Sequence, residues 1–359
     1  MPSATNEIRA AIRAADGSIA FQRFMDIALY GADGFYTAGG HAGRRGDFIT
    51  SPEVGPLFGA VLARMIDAEW RRQGEPSLFT VVDAGAGPGT LCRGILSAEP
   101  ACSRALQLIA VESSAAQRGS HPAGIVSMDR MPERIEHGVI IANELLDNLP
   151  FGLWVHDGGW REAHVVQQGE GFGEVLHTGT PAFPLREGAP HGARAPVQTA
   201  AQQWLRNALG SLSNGTVHVI DYCTARTVEA AAMPWRNWLR TYAGHERGTH
   251  YLKDPGSQDI TAQVMIDQLA AVREPDAVRT QAQFLHLWGI EELVAEGARI
   301  WRENAAAPTL AAMKMRSRIS ESEALLDPAG LGAFSVLEWR VCLRPVASCR
   351  GGTDGTRPP

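Results

Sequence analysis

Val81-Val82-Asp83-Ala84-Gly85-Ala86-Gly87-Pro88-Gly89-Thr90-Leu91 is the stretch that decides the fold. A β-branched apolar run ends in an acid, turns through three glycines, and enters an amphipathic stretch from Leu91 to Ala98. That pattern predicts a strand buried on both faces, a tight loop and a helix. Glycines let the chain turn sharply and let a ligand approach the backbone, and the amides opening the helix are expected to be free donors. A glycine turn that serves packing alone is the bland alternative.

Moving outward, similar apolar runs recur at Leu106 to Val111, Gly138 to Ala142, Val217 to Ile220 and Phe334 to Leu343. Strands alternating with helical stretches predict a parallel sheet with crossover helices. In such sheets ligands gather at the carboxyl ends of the strands. The second run ends in Val111-Glu112-Ser113, and a strand-end acid there can accept both hydroxyls of a ribose. The third ends in Ala142-Asn143-Glu144-Leu145-Leu146-Asp147-Asn148-Leu149-Pro150. Read as a helix start, it puts Asp147 one turn past Glu144, so that the two carboxylates share a face. Paired acids suit a cationic nucleophile such as guanidinium; the alternative is that Asp147 merely caps a helix.

The glycine spacing is GxGxG, whereas a dinucleotide fingerprint needs GxGxxG, and its third glycine would fall at Thr90. This disfavours a nicotinamide oxidoreductase and favours S-adenosylmethionine, a cofactor with no pyrophosphate to cradle. Asp83 then suits the ammonium or ribose end of that cofactor. Upstream, Gly46-Asp47-Phe48-Ile49-Thr50-Ser51-Pro52-Glu53 reads as a loop entering a helix, with Thr50 or Ser51 as cap.

Composition bounds the remaining classes. The 359 residues carry 45% hydrophobic side chains and a net charge of −6, which argues against a generic nucleic-acid binder. Five cysteines at irregular spacing resemble neither a disulfide framework nor a metal site. No apolar run approaches the roughly 18 residues of a membrane span. A cytoplasmic location is expected. Arg9 and Arg13 on an Ala-rich stretch hint at a mitochondrial presequence, but Glu7 and Asp16 count against it.

With these segments in view, the chain resembles the MidA family of class I methyltransferases. The resemblance runs through Ile19 to Tyr30, GDFITSPE at Gly46 to Glu53, the glycine loop and ANELLDNLP at Ala142 to Pro150. It continues at Trp160-Arg161-Glu162, Ile220-Asp221-Tyr222, Asp259 to Ala262 and Gln281 to Ile290. It implies an α/β fold: a Rossmann-like class I methyltransferase sheet with helices on both faces, an N-terminal helical extension and an insertion after the central strands. It also implies S-adenosyl-L-methionine as cofactor and a protein acceptor methylated on arginine, as in the mitochondrial members that assist complex I assembly. The chain departs from the family at Asp83-Ala84-Gly85, at Cys223 after Asp221-Tyr222, and at Gln263-Val264-Met265. The last two put the acceptor in question.

The expected organisation is an N-terminal helical region over 1–76, a cofactor-binding domain over 77–221 and 281–345, an inserted helical substrate region over 222–280, and a disordered tail over 346–359. Residues 168–200 read as a long surface loop. Expected cofactor contacts are Asp83, Gly85, Gly87, Gly89, Thr90, Glu112, Ser113, Asn143, Gly46, Asp47 and Ser51. Glu144, Asp147 and Glu53 are expected to face the acceptor; no metal, nucleic-acid or membrane partner is expected, and a homodimer is compatible with the sequence. The rival to an enzyme is a cofactor-binding assembly factor that docks through the Trp-rich segment Trp235 to His250.

Overall fold

The computed structural model describes residues 3–37, 50–243, 246–307 and 309–342. Gly46, Asp47 and the tail 346–359 lie outside them.

Its centre is a seven-stranded sheet. In chain order the strands are β1 (Phe79–Ala84), β2 (Leu106–Val111), β3 (Val126–Met128), β4 (Ile135–Asn143), β5 (Leu212–Asp221), β6 (Ala277–Thr280) and β7 (Ser335–Val341). They lie side by side as β3-β2-β1-β4-β5-β7-β6. β1 to β5 are mutually parallel, and β7 alone runs against its neighbours β5 and β6. β1 and β4 are adjacent, with Val82 opposite Ile140 and Ala84 opposite Ala142. The strand order reverses at β1, so the crevice beyond the β1 and β4 ends is where ligands collect in this topology.

The near-continuous apolar runs follow from burial on both faces. Phe79, Val81, Val139, Ile141 and Val336 face a core built with α4 (Pro56–Arg72), α5 (Thr90–Ser97), α7 (Ile290–Glu303) and α8 (Leu310–Leu326). Val82, Ala84, Ile140, Ala142 and Val219 face the opposite layer, where α6 (Thr199–Ser211) contributes Ala201, Leu205 and Ala208. Period two along each strand thus sends alternate side chains into two dry layers. α4 and α5 cross at Gly59 and Gly94, where a Cβ on Gly59 would sit 2.5 Å from the Gly94 carbonyl carbon. That contact seats the helix after the glycine loop.

A second sheet departs from the sequence reading. Gly152–His156, Trp160–Gln168, Gly171–Thr178 and Arg194–Val197 pair antiparallel, with Ile19–Ala20 added at one edge. The supposed loop over 168–200 is therefore a hairpin strand, a connection and a further strand, and a separate sheet interrupts 77–221. One-sided burial hid it: Gly171–Thr178 buries only Gly173, so it lacks the apolar run of a central strand. The 222–280 region is likewise more strand than helix. It holds Leu239–Ala243 paired with Asp259–Ala262, and Ala277–Thr280 belongs to the main sheet. Helices α1 (Ala4–Ala14) and α2 (Phe21–Tyr30) close this second body, burying Ile8, Ile12, Phe21 and Phe24 against Phe151, Leu153, Val165 and Trp238. Each such side chain contributes about 1.5–3 kcal/mol of burial.

Candidate active site

A cavity of about 510 Å³ opens beyond the carboxyl ends of β1, β2 and β4. Of the residues read from the sequence, Glu53, Asp83, Gly85, Gly87, Thr90, Glu112, Ser113, Asn143 and Glu144 line it. Three described ones do not. Gly89 turns the loop away beneath Pro122, and Ser51 is fully buried behind the wall. Asp147 is also buried, under Thr261.

The glycine loop is left-handed at Gly85, Gly87 and Gly89, with φ of 73°, 52° and 80°. A Cβ on Gly85 would also meet Leu145 Cδ1 at 2.9 Å. The amides of the loop itself are bonded within the fold. The Gly85 and Ala86 N–H groups both donate to the Val111 carbonyl at 2.9 Å, Gly87 N–H to Glu112 at 3.0 Å, and Gly89 N–H to Ala86 at 2.8 Å. What the glycines supply is a bare backbone floor, not a row of donors.

Glu112 braces that floor. One oxygen accepts from Gly87, and the other accepts from the Ser114 amide at 2.8 Å and the Ser113 hydroxyl at 3.3 Å. Asp83 is buried and accepts the Cys92 thiol at 3.3 Å, and burial lifts its carboxyl to about 7. Glu53 arrives from α3 (Ser51–Val54) and accepts the Thr90 hydroxyl at 2.6 Å. Thr50 holds the cap position of that helix without a side-chain cap bond, and Ser51 Oγ donates to Gln281 at 2.9 Å.

Glu144 is left-handed at φ 51°, a strained setting for a residue with a Cβ. Its amide donates to the Ile220 carbonyl at 2.8 Å, which locks the turn. The carboxylate accepts from the Ser51 amide at 3.3 Å, from Asn143 at 3.2 Å and from the Tyr222 hydroxyl at 3.2 Å. Burial, then the charge of Asp147, push it up to about 8 against those three donors. The helix expected here is a short 3-10 turn over Leu146–Asn148. Asp147 therefore does not share a face with Glu144: it accepts the Thr261 hydroxyl at 2.6 Å, away from the cavity. Its other oxygen is buried and unpartnered, and burial raises its carboxyl to about 6.

Asp221 and Asp259 complete a buried acidic layer behind Glu144. Asp221 accepts the Leu146 and Tyr222 amides, and Asp259 accepts Tyr36 and Asn148. Burial lifts Asp259 to about 7, and burial followed by Asp147 lifts Asp221 far above the usual range.

Several lining residues escaped the sequence reading. Tyr30 and Tyr36 stack with ring centroids 5.6 Å apart and form one wall. Asp26, Gln117, Asp129, Arg130, Met131 and Trp204 line the rest. Asp129 follows β3, a strand of three residues with no apolar run; applying the strand-end rule after Val126-Ser127-Met128 would have found it. Among the described residues the wall thus carries six carboxylates, Asp26, Glu53, Asp83, Glu112, Asp129 and Glu144, against one guanidinium, Arg130, which Asp129 already engages at 3.3 Å.

Comparison with known proteins agrees with this geometry. Residues 61–283, more than half the chain, match the family described as "Putative S-adenosyl-L-methionine-dependent methyltransferase". A mitochondrial protein arginine methyltransferase NDUFAF7 of Mus musculus is 27% identical over 69% of this chain and 64% of its own length. Its Drosophila melanogaster homologue is 46% identical over 18% of this chain and 14% of its own. The alignments thus span less than two thirds of either relative. A crystal structure from Burkholderia thailandensis with S-adenosyl-homocysteine bound superposes with a TM-score of 0.78 at 28% identity, covering 94% of this chain and 91% of that one.

Proposed function

The chain belongs to the MidA family of class I S-adenosylmethionine-dependent methyltransferases, and from that premise we propose that it methylates an arginine of a protein acceptor. The observation that carries the reading is the wall of six carboxylates to one paired guanidinium among the described residues, which favours a cationic cofactor and a cationic acceptor together.

The cavity's chemistry fits the cofactor: a floor with no Cβ, a strand-end carboxylate and an acid-rich wall. In this reading Gly85 and Gly87 let the cofactor lie against the backbone, Glu112 takes the ribose hydroxyls, and Asp83 faces the ammonium end. When bound, S-adenosylmethionine supplies an electrophilic methyl group on a sulfonium. Glu144 then orients the acceptor guanidinium by charge-assisted hydrogen bonds and receives the proton released on methylation. Asn143, Tyr222 and the Ser51 amide hold its carboxylate in place. Tyr30 and Tyr36 offer an aromatic face to the cation and exclude water. Glu53, tied to Thr90, fixes the upper rim.

The mouse relative is mitochondrial; for this chain the cytoplasm is our proposal. α1 packs Ile8 and Ile12 into the core, which supports reading residues 4–14 as a structural helix. Among the described residues no helix is long and apolar enough to cross a membrane.

The test is to incubate the purified protein with methyl-tritiated S-adenosylmethionine and extract from a strain lacking the gene. Acid hydrolysis should return the label as methylarginine. Label in another residue overturns the arginine assignment. Cofactor binding with no label transferred favours the assembly-factor reading.

A further inference from the structure

Behind Tyr222 lies an open groove of about 560 Å³, walled by Cys223, Asn237, Arg240, Arg247 and Gln263. Its guanidinium groups are held by carbonyls. Arg240 donates to Asn237 at 2.8 and 3.2 Å, Arg247 donates to the Arg236 carbonyl, and neighbouring Arg236 lies 4.3 Å over the Trp235 ring. Carbonyls orient a guanidinium without neutralising it. Among the described residues no carboxylate comes within ion-pair distance of Arg236, Arg240 or Arg247. The acid in the groove wall, Glu229, is occupied by Arg226 at 2.9 Å. In a chain of net charge −6, this is positive charge left for something else.

The groove stands one side chain from the cavity. A small recess lined by Tyr222, Arg240, Thr261 and Gln263 adjoins it, and the Tyr222 hydroxyl reaches Glu144 at 3.2 Å. In the wall Cys223 is paired in register with Val264, and Gln263 accepts the Thr224 hydroxyl.

We propose that this groove seats an acidic stretch of the protein acceptor, with Arg240 and Arg247 gripping its carboxylates while the target side chain enters beside Glu144. Fork-shaped guanidinium groups pair with carboxylates through two parallel bonds, which gives register as well as attraction. The inference rests on the protein-methylating function proposed above.

The experiment uses the full chain with S-adenosyl-homocysteine present. The probe is a fluorescein-labelled peptide of alternating Glu and Gly around one central Arg, followed by fluorescence anisotropy. Wild type should bind it, more weakly as salt rises. Arg240→Glu with Arg247→Glu should weaken binding at least tenfold, with S-adenosyl-homocysteine affinity unchanged by calorimetry. Arg247→Glu alone, at an exposed position, should give a smaller loss and guards against a folding defect. Equal binding to wild type and variants, or equal binding of a Lys-Gly version of the peptide, overturns the groove. So does a single-stranded oligoribonucleotide that displaces the acidic peptide. Failure of wild type to bind S-adenosyl-homocysteine instead overturns the methyltransferase reading, whatever the peptide does.

Discussion

At the scale of single residues, Glu144 concentrates the chemistry. Three donors converge on its carboxylate, while burial and Asp147 resist its ionisation and hold it near 8. Orienting a cation and accepting its proton both require the ionised form, so kcat/KM should climb as pH rises toward about 8 and level above it. Glu144→Gln keeps the shape and the amide-bonding pattern but not the charge. It should lower kcat about 100-fold, abolish the alkaline climb, and leave S-adenosyl-homocysteine affinity near wild type. Steady-state rates across pH 6 to 9 with a calorimetric titration check this, and an unchanged rate removes Glu144 from the role. The sign for stability is opposite. A carboxyl whose folded value is raised binds its proton more tightly when folded, so this group's contribution falls as pH rises from its unfolded value of 4.5 to about 8. Urea midpoints should therefore fall less steeply over that window in Glu144→Gln than in wild type.

At the scale of elements, the rim of the site depends on how α3 and α4 are anchored. The Leu57 amide at the start of α4 donates to Glu321 of α8 at 2.8 Å, and Ser317 donates to the other oxygen at 2.5 Å. This buried carboxylate answers the unpaired amides and positive end of the helix. Removing it leaves a helix start without an acceptor and loosens the segment that carries Ser51 and Glu53. Glu321→Ala should cost about 1–2 kcal/mol in urea unfolding, and Glu321→Gln should recover part of that. Equal stability of all three proteins would show that the cap contributes nothing.

At the scale of the whole molecule, two bodies meet over one cavity. The main sheet delivers the cofactor end, and the second body delivers Tyr30, Tyr36 and Asp26 through α2 and the turn after it. The second body is cross-braced by Glu174, which accepts both Arg194 nitrogens at 2.7 and 2.8 Å and the Tyr251 hydroxyl at 2.8 Å. The Arg194 and Glu174 side chains are each under a fifth exposed. Glu174→Ala strands a half-buried guanidinium and should lower unfolding free energy by about 3 kcal/mol, with S-adenosyl-homocysteine still binding because that end belongs to the other body. Loss of cofactor binding along with stability would show the bodies to be one cooperative unit.

The central strands and the glycine turn were legible in the sequence because local rules fix them. Apolar runs rich in β-branched residues suit strands dry on both faces, as at Phe79–Ala84, and glycine takes the left-handed turns at Gly85, Gly87 and Gly89 without steric cost. Glu112, Asn143 and Glu144 followed from their place at strand ends. The second sheet was not legible, since its half-exposed strands dilute the apolar signal below that of a loop. Nor was the divergence of Glu144 from Asp147, which the left-handed backbone at Glu144 decides. Sequence spacing measures distance along the chain, whereas the direction of a side chain depends on dihedrals that the Ile220 carbonyl and Thr261 impose from more than seventy residues away.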